Sequence, residues 1–256
     1  MPELCPCGSE LTLETCCVST DIAKIKKIYV DSGRYMKRRD WAESYTTYKT
    51  IINEQIIVEQ ENFVKSQGRE ITCQAGCAMC CVEFIAARLE ECDAIVMYLY
   101  SKPGVMNRFL INYKAWQQRI TSGDNSLQNA SEAYQVLYET RRPEDKRTFE
   151  AYALDYAKKY IPCPFLNDSK CLIYPIRPFV CSTYGVVSHK KYCDPKWHKE
   201  ALENKQKIKS AINPLSFEHS YFIDLKGRMI FGPMPKMVND IIQNGPYLMD
   251  KVPKTI

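Results

Sequence analysis

Residues 73–81 read Cys-Gln-Ala-Gly-Cys-Ala-Met-Cys-Cys, four thiols in nine residues with Gly76 at the bend. Helical patterns flank them, one from about Asp40 to Lys65 closed by Gln67-Gly68, the other from Ala86 to Tyr100 closed by the breakers Pro103-Gly104. The cysteines therefore sit in a loop between helices. Outward from there, Met106 to Ile120 and Leu127 to Tyr138 are spaced as helices. Tyr134 and Tyr138, then Tyr152, Tyr156 and Tyr160, repeat every four residues, as core-lining faces do. Upstream, Ser19-Thr20-Asp21 offers an N-cap to a helix carrying Ile22, Ile25, Ile28 and Tyr29. Pro162, Pro164, Pro175 and Pro178 break the chain into loops, Pro195 to Ile212 reads as a helix, and Ser220 to Phe231 reads as two short strands about Lys226-Gly227. The expected fold is mostly α with irregular cysteine-rich metal-binding loops and a small C-terminal β-hairpin. Its expected parts are an element at 1–18, a helical segment at 19–70 and an α-rich domain at 71–256.

Composition narrows the chemistry. A chain of 256 residues with 45% apolar side chains can bury a sizeable core. It has no run of eighteen apolar residues, and its N-terminus lacks the charged and apolar regions of a secretory signal, so a cytoplasmic location is the expectation. Reducing conditions keep thiols free, and an odd count of 13 cysteines fits disulfide pairing badly. Metal capture is the better use of them. The net charge of +5 is modest, and the basic runs Lys24–Arg39 and His189–Lys209 read as solvated helix faces, so nucleic acid is not implied.

Cys5, Cys7, Cys16 and Cys17 lie close enough in sequence to complete a tetrahedral zinc site from one segment, with Gly8 allowing a tight turn behind the first pair. The run Cys5-Pro-Cys7-Gly-Ser-Glu resembles the SEC-C motif, a zinc-binding element attached to many bacterial proteins, with Glu10 where that motif has glycine. The resemblance implies a zinc-binding adaptor that docks on a protein partner.

A third group follows: Cys163-Pro-Phe-Leu, Cys171, Arg177-Pro178, Cys181 and Cys193. Together with Cys73, Cys77, Cys80 and Cys81 it offers eight ligands, enough for two four-coordinate sites or one cluster with spare thiols. The combination is similar to the YkgJ-type CxxCxxCC family of zinc- or iron-chelating proteins, which includes the flagellin lysine methylase. The first gap holds three residues where the family name has two. The resemblance implies Cys73, Cys77, Cys80, Cys81, Cys163, Cys171 and Cys181 as ligands; Cys193 joins them by proximity. All-thiolate ligation suits an iron–sulfur cluster, iron or zinc alike.

Cys92, beside Leu89, Ile95 and Val96, reads as a small buried hydrophobe, and His189, His198 and His219 stand outside any motif. Arg177 offsets thiolate charge or anchors its loop. The function expected is redox or metal handling. A cluster-dependent protein-modifying enzyme and a structural zinc module remain the alternatives, the first helped by a Cys73-x3-Cys77-x2-Cys80 spacing like that of radical S-adenosylmethionine enzymes. Deleting residues 1–18 is expected to remove one equivalent of zinc per chain by elemental analysis; unchanged metal content would sink the zinc assignment.

Overall fold

Ala42, Tyr45, Lys49, Ile52 and Ile56 recur every three or four residues, and all five are buried along one face of α1 (Arg38–Ser66) in the computed structural model. The structure describes residues 38–73, 76–121, 125–208 and 230–244. Cys5, Cys7, Cys16 and Cys17, the helix expected after Asp21, and most of the hairpin expected at 220–231 lie outside them. Gly68, at φ 66°, ends α1 by donating its N–H to the Lys65 carbonyl at 2.9 Å.

The described residues are mostly helical, as expected. After β1 (Ala86–Arg88) come α2 (Leu89–Tyr100), α3 (Pro103–Thr121), α4 (Ser126–Thr140) and α5 (Pro143–Ala157). A proline-broken stretch contains β2 (Leu166–Asn167), β3 (Lys170–Cys171) and the short α6 (Phe179–Ser182). Then come α7 (His198–Asn204), β4 (Phe231–Pro233) and α8 (Met234–Asn244). Antiparallel pairing joins β1 to β4, with Arg88 opposite Phe231, and joins β2 to β3. α1, α2, α3 and α8 share one core around Ile56, Ile95, Leu99, Phe109 and Val238, while α4 and α5 pack on each other across the left-handed Arg141. Among the described residues no helix is long and apolar enough to cross a membrane.

Four expectations need correction. Ala86–Arg88 is a strand rather than the first turn of a helix, because Phe231–Pro233 supplies it with a partner. Pro103 opens α3 instead of only closing α2, since a proline at a helix start loses no intrahelical bond. Tyr160 leaves the helical face: α5 ends at Ala157, and Tyr160 sits at φ 51° with its hydroxyl donating to Asp194 Oδ1 at 2.5 Å. The helix expected from Pro195 to Ile212 stops at Asn204, where Val187 N–H finds the Gln206 carbonyl at 3.0 Å and Ile208 N–H finds Gly185 at 2.8 Å.

One charge pair lies inside this packing. Lys49, fully buried in the apolar stripe of α1, meets Glu91 at 3.0 Å and stands 3.1 Å above the centroid of the Phe179 ring. Glu91 also accepts the Arg88 N–H at 3.2 Å, as a capping box does at the start of α2, and the Phe179 N–H at 2.7 Å at the start of α6. Burial alone would push the Glu91 carboxyl up, but Lys49, the Phe179 N–H and Arg88 outweigh it and hold it below the ordinary value of 4.5.

Removing one partner of such a pair strands the other charge, so Lys49→Met is expected to cost about 3–5 kcal/mol in urea unfolding. The folded carboxyl titrates below the unfolded one, so its contribution is whole above about pH 4.5 and is lost as pH falls through the depressed folded value. Wild-type stability should therefore decline more steeply over that acid range than that of Glu91→Gln.

Candidate metal centre

From Gly76 to Cys81 the chain runs through turns. Gly76 takes φ 86°, Cys81 N–H donates to Ala78 at 3.0 Å and Glu83 N–H donates to Cys80 at 3.1 Å. The next cysteine loop is tied directly to it, because Cys163 N–H donates to the Cys81 carbonyl at 2.7 Å. From Cys163 the chain doubles back through β2 and β3. Asp168 and Ser169, at φ 47° and 60°, form the two-residue turn that suits a tight hairpin, and the register sets Leu166 opposite Cys171. Cys181 rides on α6, its N–H bonded to Pro178 at 2.8 Å.

Two helices clamp these loops with paired amide bonds. Asn112 of α3 donates through Nδ2 to the carbonyls of Pro164 and Leu166 at 3.1 and 3.2 Å, and Phe165 between them stacks on Phe109 at 4.3 Å. Asn53 of α1 does the same to Pro175 and Arg177, both at 3.0 Å, while Gln60 donates to Thr183 at 2.9 Å. A proline-broken loop cannot satisfy all of its own carbonyls, and a side-chain amide supplies what secondary structure would have.

The remaining thiols are framed separately. Thr72, beside Cys73, gives its N–H to Val186 at 3.0 Å and its hydroxyl to Val186 and Ser188 at 2.9 and 2.7 Å. Arg69 bonds Gln206, and Val186 bridges Lys207. Tyr184 sets its hydroxyl 3.9 Å from Cys193 Sγ, and Asp194 caps the following turn through Lys196 N–H at 3.0 Å.

All nine described cysteines are free thiols. Negative charge on Cys80 would act against ionisation of Cys73, Cys163, Cys171, Cys181 and Cys193. Cys80 is held protonated, first by its hydrogen bond with Cys81 and then by burial. Burial pushes Cys163, Cys171 and Cys181 up as well; opposing it, the Phe165 N–H favours the Cys163 thiolate, and the Ile173 N–H and Arg177 favour that of Cys171. Such N–H bonds and a nearby cation stabilise sulfur ligands. Arg177 rests on Tyr174 at 4.0 Å, and its buried Nε meets no hydrogen-bond acceptor among the described residues, as suits a neighbour that is anionic.

The donor set thus fits a thiophilic metal in its chemistry. In placement, no group of three or more His, Cys, Asp or Glu among the described residues is drawn together closely enough to hold an ion. Cys92 is fully buried in α2, as expected. His189 spends Nδ1 on the Lys191 N–H at 3.1 Å, His198 starts α7, and His219 lies outside the described residues. The Ser182 and Thr183 hydroxyls serve carbonyls of their own short helix. A groove of about 490 Å³ lined by Tyr134, Leu137, Tyr138, Arg141 and Lys146 includes no cysteine.

No family model, curated protein or solved structure matches this chain. The family reading therefore rests on the cysteine motifs alone. What sequence reasoning missed is the set of clamps, Asn53, Gln60, Asn112 and Thr72. The available signal was Lys49 lying within an apolar stripe and Asn53 directly after Ile52, polar residues where core is due.

Asn53→Ala leaves two carbonyls without their donor and is expected to cost about 1–3 kcal/mol. It should also speed alkylation of Cys181, read by mass spectrometry, while leaving Cys193 unchanged.

Proposed function

We propose that this chain is a cysteine-ligated metal protein of the YkgJ-type CxxCxxCC kind, with a redox or metal-handling role and an N-terminal zinc element that docks on a protein partner. The observation that carries the reading is a set of free thiols clustered in sequence, two of whose loops are tied together directly where Cys163 N–H donates to the Cys81 carbonyl at 2.7 Å. Cys73, Cys77, Cys80, Cys81, Cys163, Cys171, Cys181 and Cys193 would hold an iron–sulfur cluster, iron or zinc; Arg177 and the Phe165 and Ile173 amides would stabilise the thiolates. The bound group would supply either electron storage, if iron, or a Lewis-acidic staple, if zinc.

A structural role has support of its own, since Cys163 and Cys171 pack against the main core. An ion held there would couple metal binding to the stability of that core.

Anaerobic purification followed by metal and sulfide analysis tests both. Expected is thiolate-bound metal beyond the N-terminal zinc, reduced in Cys81→Ala and Cys163→Ala. Iron with sulfide and visible absorption selects the redox reading, and colourless zinc whose removal lowers Tm selects the structural one. Full-length protein that carries only the N-terminal zinc sinks the proposal.

A further inference from the structure

Tyr134, Leu137 and Tyr138 are spaced three and four residues apart on α4, so they share one face of that helix, and α5 packs beside it. The aromatic wall they form is held from behind. Phe231 of β4 meets the Tyr134 and Tyr138 rings at 5.7 and 4.7 Å, and Phe149 of α5 meets Tyr134 at 5.2 Å. Together with Pro143 these residues line the groove of about 490 Å³, which has the volume of a small-molecule site. Its polar lining is cationic: Arg141, Arg142 and Lys146 contribute to it and no carboxylate does. Arg142 is already committed, its Nε pairing with Asp145 at 2.8 Å and Glu144 at 3.4 Å while the Thr140 hydroxyl donates to the same Asp145 at 2.5 Å. Lys146 reaches Glu150 only at 3.8 Å, with both side chains largely in water, where such a pair is worth little. The Arg141 guanidinium meets no carboxylate among the described residues. Its backbone sits at φ 54°, a conformation that favours glycine or asparagine, and its N–H closes α4 on the Leu137 carbonyl at 2.8 Å. A turn that glycine would make more easily carries a free guanidinium beside an aromatic groove.

We propose that this groove binds a small aromatic carboxylate. The ring of the ligand lies against Tyr134 and Tyr138, with Leu137 and Pro143 adding apolar contact, and its carboxylate is held by the fork of Arg141, with Lys146 adding positive charge. The neighbouring acids set the charge that fits. Glu144, Asp145 and Glu150 flank the same cations, so little positive charge is left over for a dianionic phosphate, whereas a single carboxylate is matched by Arg141 alone. The site is independent of the thiols, because the groove includes no cysteine.

Isothermal titration calorimetry of the full-length protein with naphthoate tests this, with naphthalenemethanol, cyclohexanecarboxylate and inorganic phosphate as comparison probes. One naphthoate per chain is expected, the uncharged and the non-aromatic analogues should each bind about tenfold more weakly or worse, and phosphate should not displace naphthoate. Glycine suits the backbone at 141, so Arg141→Gly should keep or raise Tm while weakening naphthoate about tenfold or more. Tyr138→Leu keeps apolar surface but removes a ring, and should weaken naphthoate more than cyclohexanecarboxylate. Metal content should be the same in both variants as in the wild type. The proposal is overturned if naphthoate does not bind at about 1 mM, if naphthalenemethanol binds the wild type equally well, or if Arg141→Gly binds naphthoate at wild-type strength. The comparison of naphthoate with naphthalenemethanol needs only the wild-type chain, so it decides even where a variant fails to fold.

Discussion

The Glu91 carboxylate is the group on which the described fold turns. One oxygen meets Lys49 from α1 and the Phe179 N–H from α6, and the other receives the Arg88 N–H at the start of its own helix. A buried carboxylate is costly unless its lone pairs are used, and here three separate chain segments must converge to use them. That requirement fixes where α6 begins, and α6 carries Cys181 only two residues beyond Phe179. Lys49 is held in the same way, with its charge shared between the carboxylate and the Phe179 ring.

From this point the cysteine loops inherit their positions. Asn53 lies one turn beyond Lys49 on α1 and reaches the loop that leads into α6, so a single helix face fixes both the loop and the helix after it. Asn112 repeats the device from α3. Prolines make such clamps necessary. Pro162, Pro164, Pro175 and Pro178 limit regular pairing in the cysteine-bearing stretch to the short β2–β3 ladder, and the carbonyls of Pro164, Leu166, Pro175 and Arg177 are met by the clamps instead. In effect the loops borrow regularity from the helices beneath them.

How far the sequence reveals this depends on the range of each interaction. α1, α3 and α4 are legible because apolar spacing is local, and Cys92 is legible because its neighbours are apolar. Ala86–Arg88 is not: its partner Phe231–Pro233 is remote in sequence, and three residues without alternation carry no strand signal. The cysteines announce themselves through clustering, but which thiols face which depends on tertiary clamps. Lys49 and Asn53 would ordinarily be assigned to a solvated face, since lysine and asparagine are mostly exposed, and only the carboxylate and carbonyls across the interface explain their burial.

The clamps also bear on what a metal would contribute. In a small zinc finger the ion replaces a missing core, and the chain has no fold without it. Here Ile95, Leu99, Phe109 and Val238 form a core that contains no cysteine ligand, and the Asn53, Asn112 and Glu91 bonds run from helix to loop without passing through sulfur. The frame thus has its own sources of stability. Among the described residues the thiols, several of them pushed towards their neutral forms by burial, are not drawn into a coordination sphere. An ion binding there would act on the final approach of the loops rather than on the helices. The helices would then fold without an ion, and its effect on stability would enter only through Cys163 and Cys171, where they pack against the core.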